Sequence, residues 1–242
     1  MDMSLKPYKI FRSNRKTVFI GFNQYGDLIV KAPKSLPVSK IYDLIERHKD
    51  ALNKKRRDVL SSRLRSKKHL FQEGEEFWFL GRTLKLKFVD DVDLFSTRRG
   101  ISTTEKNLLL PERYRNFAKK EIEKFYRKEA KKFFTSRVHF YIVKYFEVFG
   151  ERLNYTNLKI SSGQRTVGSC SPKNSLSFSW RLIQAPIQII DYVVAHEIVH
   201  IKEKHHQKAF WDKVRMLDPD YKRNLKWLKE NWFYLREFLI YD

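Results

Sequence analysis

Apolar positions along the chain follow two periods, and each change of period marks a change of element. Residues 17–22 gather β-branched and aromatic side chains, and 27–31 resume the pattern after a turn at Gly26, so two strands are expected within 8–31. Pro33 and Pro37 punctuate the chain. Ile41, Leu44, Ile45 and His48 then fall at helical spacing, which predicts a helix over about 40–58 with Ser39 as its cap. The blocks FWFLGR (77–82) and LKLKFV (84–89) read as a hairpin whose second strand turns Leu84, Leu86 and Phe88 to one face. Residues 90–110 show little periodicity and read as a loop.

From Pro111 to Phe149 the period is helical and the polar positions are heavily charged, as expected of two helices or one bent one, ended by Gly150. Residues 156–180 read as strands around a Gly- and Ser-rich turn. Pro186 opens a strongly apolar helix running to about Ile201, and further helices are expected over 207–217 and 221–239. No internal repeat stands out. The pattern as a whole is α+β: a basic, β-rich N-terminal region, 1–105, followed by a mainly helical region, 106–242, with a small sheet beside the helix that Pro186 opens.

Charge sharpens this division. Of the net +22, residues 1–150 carry 35 Lys and Arg against 18 Asp and Glu, whereas 151–242 carry 15 against 10. Within 54–68 there are eight basic residues and one acid. Such a field favours polyanions, so non-specific nucleic acid is an expected partner of the basic front; the competing reading is a solvated cationic face. Cys170 is the sole cysteine, which rules out an internal disulfide and fits a reducing, cytoplasmic setting. No apolar run is long enough for a membrane span, and none at the N-terminus suggests a signal peptide, so no membrane partner is expected.

The candidate chemistry sits on the apolar helix. His196-Glu197-Ile198-Val199-His200 is an HExxH motif. Residues four apart share a helix face about 6 Å along the axis, so the two imidazoles can hold one metal ion. Glu197 is placed to accept a proton from a water that zinc makes acidic, and to return it to the leaving amine. Tyr192, Val193, Val194, Ile198, Val199 and Ile201 make the surroundings apolar, where unpaired polar groups are costly. A catalytic zinc takes three protein ligands and keeps one position open. Glu203, His205 and His206 compete for the third place. Glu203 lies a turn too far to reach back well, and either histidine requires the helix to end near 202–204; geometry does not choose between the two.

Several strings around the motif belong together. They are Gly168-Ser169-Cys170-Ser171, Ser179-Trp180-Arg181-Leu182-Ile183, Ala185-Pro186, and Ile190-Asp191-Tyr192-Val193-Val194-Ala195-His196-Glu197. His200, His206, Phe210-Trp211, Pro219-Asp220-Tyr221 and Lys226-Trp227-Leu228-Lys229-Glu230-Asn231 continue them. In these the chain resembles the YgjP-like metallopeptidases, the domain-of-unknown-function 45 family. Ala32-Pro33 and Leu80-Gly81-Arg82 extend the likeness towards the N-terminus. The resemblance implies a zincin-like core, a bound Zn2+ and, by the Phe210-Trp211 register, His206 as third ligand. It also implies similarity to SprT-like proteases, some of which cleave DNA-bound proteins. Thr166-Val167 stands where the family usually has Arg-Trp, and Ser179 where it has Asn, which touches substrate preference more than metal binding.

Zincin-like enzymes align an extended substrate on an edge strand, and Ser175, Leu176, Ser177 and Phe178, with Arg181 beyond them, are the expected substrate-binding segment. Arg181, Tyr192 and Tyr221 are candidates for stabilising an oxyanion. Cys170 reads as a small buried residue rather than a nucleophile. The expected function is therefore a zinc-dependent peptidase acting on a protein or peptide. The alternative is a nucleic-acid-binding accessory protein whose metal is structural or vestigial.

Overall fold

The computed structural model describes residues 5–22, 27–56, 69–90 and 100–239, and the chain divides into compact units at Met1–Lys67 and Lys68–Asp242. The sequence pattern placed its division at 105/106.

In the first unit three strands, β1 (Lys9–Ser13), β2 (Phe19–Phe22) and β3 (Leu28–Pro33), form a sheet in the order β1-β3-β2, with β1 parallel and β2 antiparallel to β3. One face is apolar: Leu28, Val30 and Ala32 pack on Ile41 and Ile45 of helix α1 (Val38–Arg47), with Leu5 and Leu52 completing the cluster. β1 is a strand the sequence pattern did not separate, since its only apolar pair, Ile10 and Phe11, are neighbours and so face opposite ways. The Arg12 guanidinium ties it in by donating to the carbonyls of Pro33 and Leu36. Pro37, not Ser39, stands at the N-cap of α1. The expected single helix pauses at His48 and resumes over 49–56. Gly26 and residues 57–68 of the basic run lie outside the described residues.

The second unit opens with the expected hairpin, β4 (Glu76–Phe79) and β5 (Arg82–Val89), which buries Leu84, Leu86 and Phe88. Both turn residues have positive φ, Leu80 at 50° and Gly81 at 76°, as a tight hairpin turn demands. That turn anchors the centre of the unit, because Leu80 N–H donates to the Ile183 carbonyl and Gly81 N–H to that of Gln184. A methyl group on Gly81 would lie 2.8 Å from the Pro186 Cα, so only glycine fits there. The region read as a loop contains β6 (Ser102–Thr103) and β7 (Asn107–Pro111), giving a sheet of order β4-β5-β7-β6. β7 is short and leucine-rich, which signals burial without signalling a strand.

After a 3-10 turn at Glu112–Phe117 comes one 32-residue helix, α2 (Ala118–Phe149), where two helices or a bend were expected. No Gly or Pro interrupts it, and Gly150, with φ of 69°, ends it. Its buried residues Ala118, Ile122, Tyr126, Ala130, Phe134, Val138, Tyr141 and Tyr145 mostly step by four, so the stripe drifts about 40° per step around the helix. The drift lets one helix pack successively on several elements. These are the 3-10 segment Trp180–Gln184, strand β8 (Asn157–Ser161), and helices α3 (Ile187–Val199) and α4 (Lys208–Leu217).

β8 joins β9 (Gly168–Cys170) and β10 (Ser175–Ser179) in a small sheet of order β8-β10-β9, and helix α5 (Tyr221–Arg236) follows α4. α3 is enclosed on several sides, by α2, α4, α5 and β9. Arg137 of α2 clamps it with a two-pronged bond to Asp191, 2.6 and 2.8 Å. The fold is α+β, with a small sheet beside the HExxH helix. Among the described residues no helix is long and apolar enough to cross a membrane.

Candidate metal centre

Pro186 starts α3 from the N-cap, and nine of the thirteen residues of the helix are buried. The HExxH motif occupies its last turn. His196 and His200 project from one face, their ring centroids 4.9 Å apart. The helix ends at Val199 with His200 at its C-cap, and the chain turns so that residue 206 comes back over this face. The Nε2 atom of His206 stands 3.0 Å from Nε2 of His196 and 3.0 Å from Nε2 of His200.

What shapes this turn is partly backbone. The Glu203 carbonyl lies 2.8 Å from Nδ1 of His200. Nδ1–H donating to that carbonyl leaves the His200 Nε2 lone pair directed at the cluster. The Glu203 carboxylate is engaged elsewhere, 2.9 Å from Lys213 Nζ, so Glu203 is not part of the cluster. His205 is exposed and outside it. The structure therefore brings His206 to the pair and leaves the other two contenders away.

Aromatic rings support the three imidazoles from beneath. Phe210, fully buried on α4, has its centroid 4.8, 4.4 and 4.7 Å from those of His196, His200 and His206. Trp211 stacks on His206 at 5.6 Å, and Tyr221 stacks on Trp211. The Phe-Trp pair that sets the register in the sequence thus acts as the floor of the cluster.

Burial disfavours the protonated form of two of these rings. Burial, aided by the imidazoles of His200 and His206, pushes His196 down to about 3, and burial lowers His200 as well. Imidazole nitrogens whose lone pairs converge at 3.0 Å repel one another unless a cation or shared proton sits among them. Their donor set fits a borderline divalent ion. His196 Nδ1, on the far side of its ring, is buried without a hydrogen-bond partner among the described residues.

Glu197 points to the other side of the turn, towards β9. It is 6% exposed, and burial pushes its carboxyl up to about 8. A cation held by the neighbouring histidines would oppose that shift and favour the carboxylate. A methyl group on Gly168 of β9 would lie 2.9 Å from Glu197 Oε1, so the strand and the carboxylate touch through the missing side chain. This contact was not read from the sequence, although Gly168 stands in one of the strings that carry the family likeness.

The structure places the expected substrate-binding segment inside its sheet rather than at an edge. β10 is the middle strand of its sheet, paired with β8 on one side and β9 on the other. Leu176 and Phe178 are fully buried, and Phe178 stacks on Phe134. Ser175 and Ser177 keep their backbone groups in the ladder, so none of the four offers a free edge. Arg181 is also buried, donating from Nε to the Phe238 carbonyl and from Nη1 to that of Ser162, and its guanidinium packs on Trp180. Of the two outer strands, β8 and β9, the one beside Glu197 is β9. Val167 and Ser171 exchange backbone bonds with β10, so by alternation Gly168 and Cys170 direct their N–H and C=O groups outward. Burial pushes the Cys170 thiol up, against a nucleophilic role. Tyr192 is buried against His196, and burial raises its hydroxyl.

Residues 16–231 match the family model described as YgjP-like, metallopeptidase domain. No curated protein and no solved structure matches the chain.

Proposed function

The chain belongs to the YgjP-like metallopeptidase family, and we propose that it is a zinc-dependent peptidase whose metal is held by His196, His200 and His206 and whose general base is Glu197. The observation that carries this reading is the convergence of three imidazole nitrogens beside a buried carboxylate that is not itself one of the clustered groups. Three histidines suit zinc by donor type and leave it a position open, whereas a structural site is normally closed by four protein ligands.

When bound there, zinc supplies a Lewis acid that makes water a nucleophile near neutral pH. Glu197 takes a proton at its carboxylate as the water attacks the peptide carbonyl, and delivers it to the departing amine. The outer edge of β9 holds the substrate extended by backbone pairing at Gly168 and Cys170, which tolerates many side chains. His206 is exposed and opens this side of the cluster to solvent and substrate. Phe210 closes the opposite side.

The test is metal analysis of the purified chain together with release of peptides from an unfolded protein substrate. About one zinc per chain is expected. Hydrolysis should stop when the metal is stripped and return on adding zinc. Failure of the zinc-loaded chain to cleave unfolded protein or a mixed peptide pool would overturn the peptidase reading.

A further inference from the structure

Among the described residues, the sheet of the first unit has one face packed on α1 and the other partly exposed, and the exposed face is unusual in composition. By the strand register, Lys9 and Phe11 of β1, Ile29 and Lys31 of β3, and Phe19 and Gly21 of β2 share it. Phe11 and Phe19 are 43% and 46% exposed, where such rings are normally hidden. Both sit level with Lys31, one on each side, about 10 Å apart at two strand spacings. Lys9 Nζ lies 5.1 Å and Lys31 Nζ 6.0 Å from the Phe11 ring centroid. A methyl group on Gly21 would fall 2.7 Å from Phe19 Cζ, so the Phe19 ring rests over the space that glycine leaves. Tyr8, at 72% exposure, immediately precedes β1.

Charge identifies the partner. Residues 1–67 hold 17 Lys and Arg against 6 Asp and Glu. A purely apolar partner would leave Lys9 and Lys31 without compensation, whereas a polyanion pairs with them. Exposed rings add little to binding a duplex, whose bases are stacked on one another. They do bind unstacked bases, since every base has a π-face.

We propose that the outer face of the β1-β3-β2 sheet binds single-stranded nucleic acid, with bases stacking on Phe11 and Phe19 and phosphates meeting Lys9 and Lys31. The proposal is independent of the peptidase reading, because none of these residues belongs to the metal centre.

The experiment is an anisotropy titration of the full chain with labelled oligothymidylate, oligouridylate and a DNA duplex, at several salt concentrations. Either single strand should bind more tightly than the duplex. Phe11→Ala and Phe19→Ala should each weaken single-strand binding by about 5- to 100-fold with the salt slope unchanged. Phe11→Trp should preserve binding. Lys9→Gln combined with Lys31→Gln should reduce the slope of log affinity against log salt by about 1.4, for two phosphates lost. The rings are half exposed, so these truncations leave the core intact, and circular dichroism checks it. Alanine variants that bind like the wild type would overturn the proposal. So would a duplex bound as tightly as the single strands, or binding to phosphatidylserine vesicles with none to oligonucleotides.

Discussion

Gly168 and Glu197 are in contact through an absent side chain. A methyl group at position 168 would lie 2.9 Å from Glu197 Oε1, 3.0 Å from its Cγ and 3.1 Å from Val193 Cγ1. Either the carboxylate or the strand must shift to admit it. Gly168→Ala is therefore expected to lower kcat by about 100-fold, the scale of an ångström misplacement of a reacting group. The histidines are untouched, so metal content should stay at the wild-type level. Wild-type turnover in this variant would show that Glu197 needs no such support.

Glu197→Gln keeps the shape of the side chain and removes its capacity to accept a proton. Bound metal should be unchanged, and hydrolysis should fall by about 10²- to 10⁴-fold. Undiminished turnover, measured on the same zinc-loaded preparation, would point to another base.

The centre of this site was legible because HExxH is a local pattern, with both histidines on one turn of one helix. The third ligand was not legible from helix geometry, since it depends on how residues 201–207 turn. That turn is set by the Glu203 carbonyl bonding to His200, a backbone contact without a side-chain signature. The α+β class followed from the periods, and so did the hairpin of β4 and β5. A strand was legible over 175–179, yet the pattern carries no count of strand neighbours, and Leu176 and Phe178 belong to a buried central strand rather than an edge. The actual edge, Gly168–Cys170, has three residues and no apolar alternation. β7 escaped for a similar reason, its leucines being at home in helix or strand.

Arg181 illustrates the same limit, and it gives a prediction. Its charge suggested the cleft, but its donors are spent on the Phe238 and Ser162 carbonyls inside the unit. Arg181→Ala should destabilise the fold by on the order of 3 kcal/mol, the value of charge-assisted bonds lost from a buried site. Thermal unfolding should show it. KM for peptide, measured well below the new melting temperature, should not move; a large rise in KM would restore Arg181 to the substrate site.

His69 sets an acid-side dependence of stability. Its ring stacks on Phe77 at 4.5 Å, and its Nδ1 lies 2.8 Å from Glu75 Oε1. Burial outweighs the carboxylate and holds the imidazole below its ordinary value. The unfolded chain therefore takes up this proton more readily than the folded one. The contribution is fully present above about pH 6.5 and is lost as pH falls through that value towards the lower folded pKa. His69→Gln should flatten that part of the stability profile, read by denaturant unfolding at stepped pH. An unchanged slope would mean that His69 titrates alike in both states.

His205 and His206 are adjacent, and the structure separates them sharply. His206 Nε2 is 3.0 Å from the Nε2 atoms of both other histidines, and its ring stacks on Trp211. His205 is exposed and outside the cluster, and its carbonyl accepts a bond from Gln207 N–H. His206→Ala removes one of three donors and should leave zinc loosely held, with activity lost in parallel. His205→Ala should retain both zinc and activity. Neither change cuts into the core, so both variants should fold, and a competition titration with a chromogenic chelator would read the affinities directly. Loss of metal on changing His205, with His206→Ala unaffected, would mean that the turn after Glu203 is wound one residue differently and that the third ligand is His205.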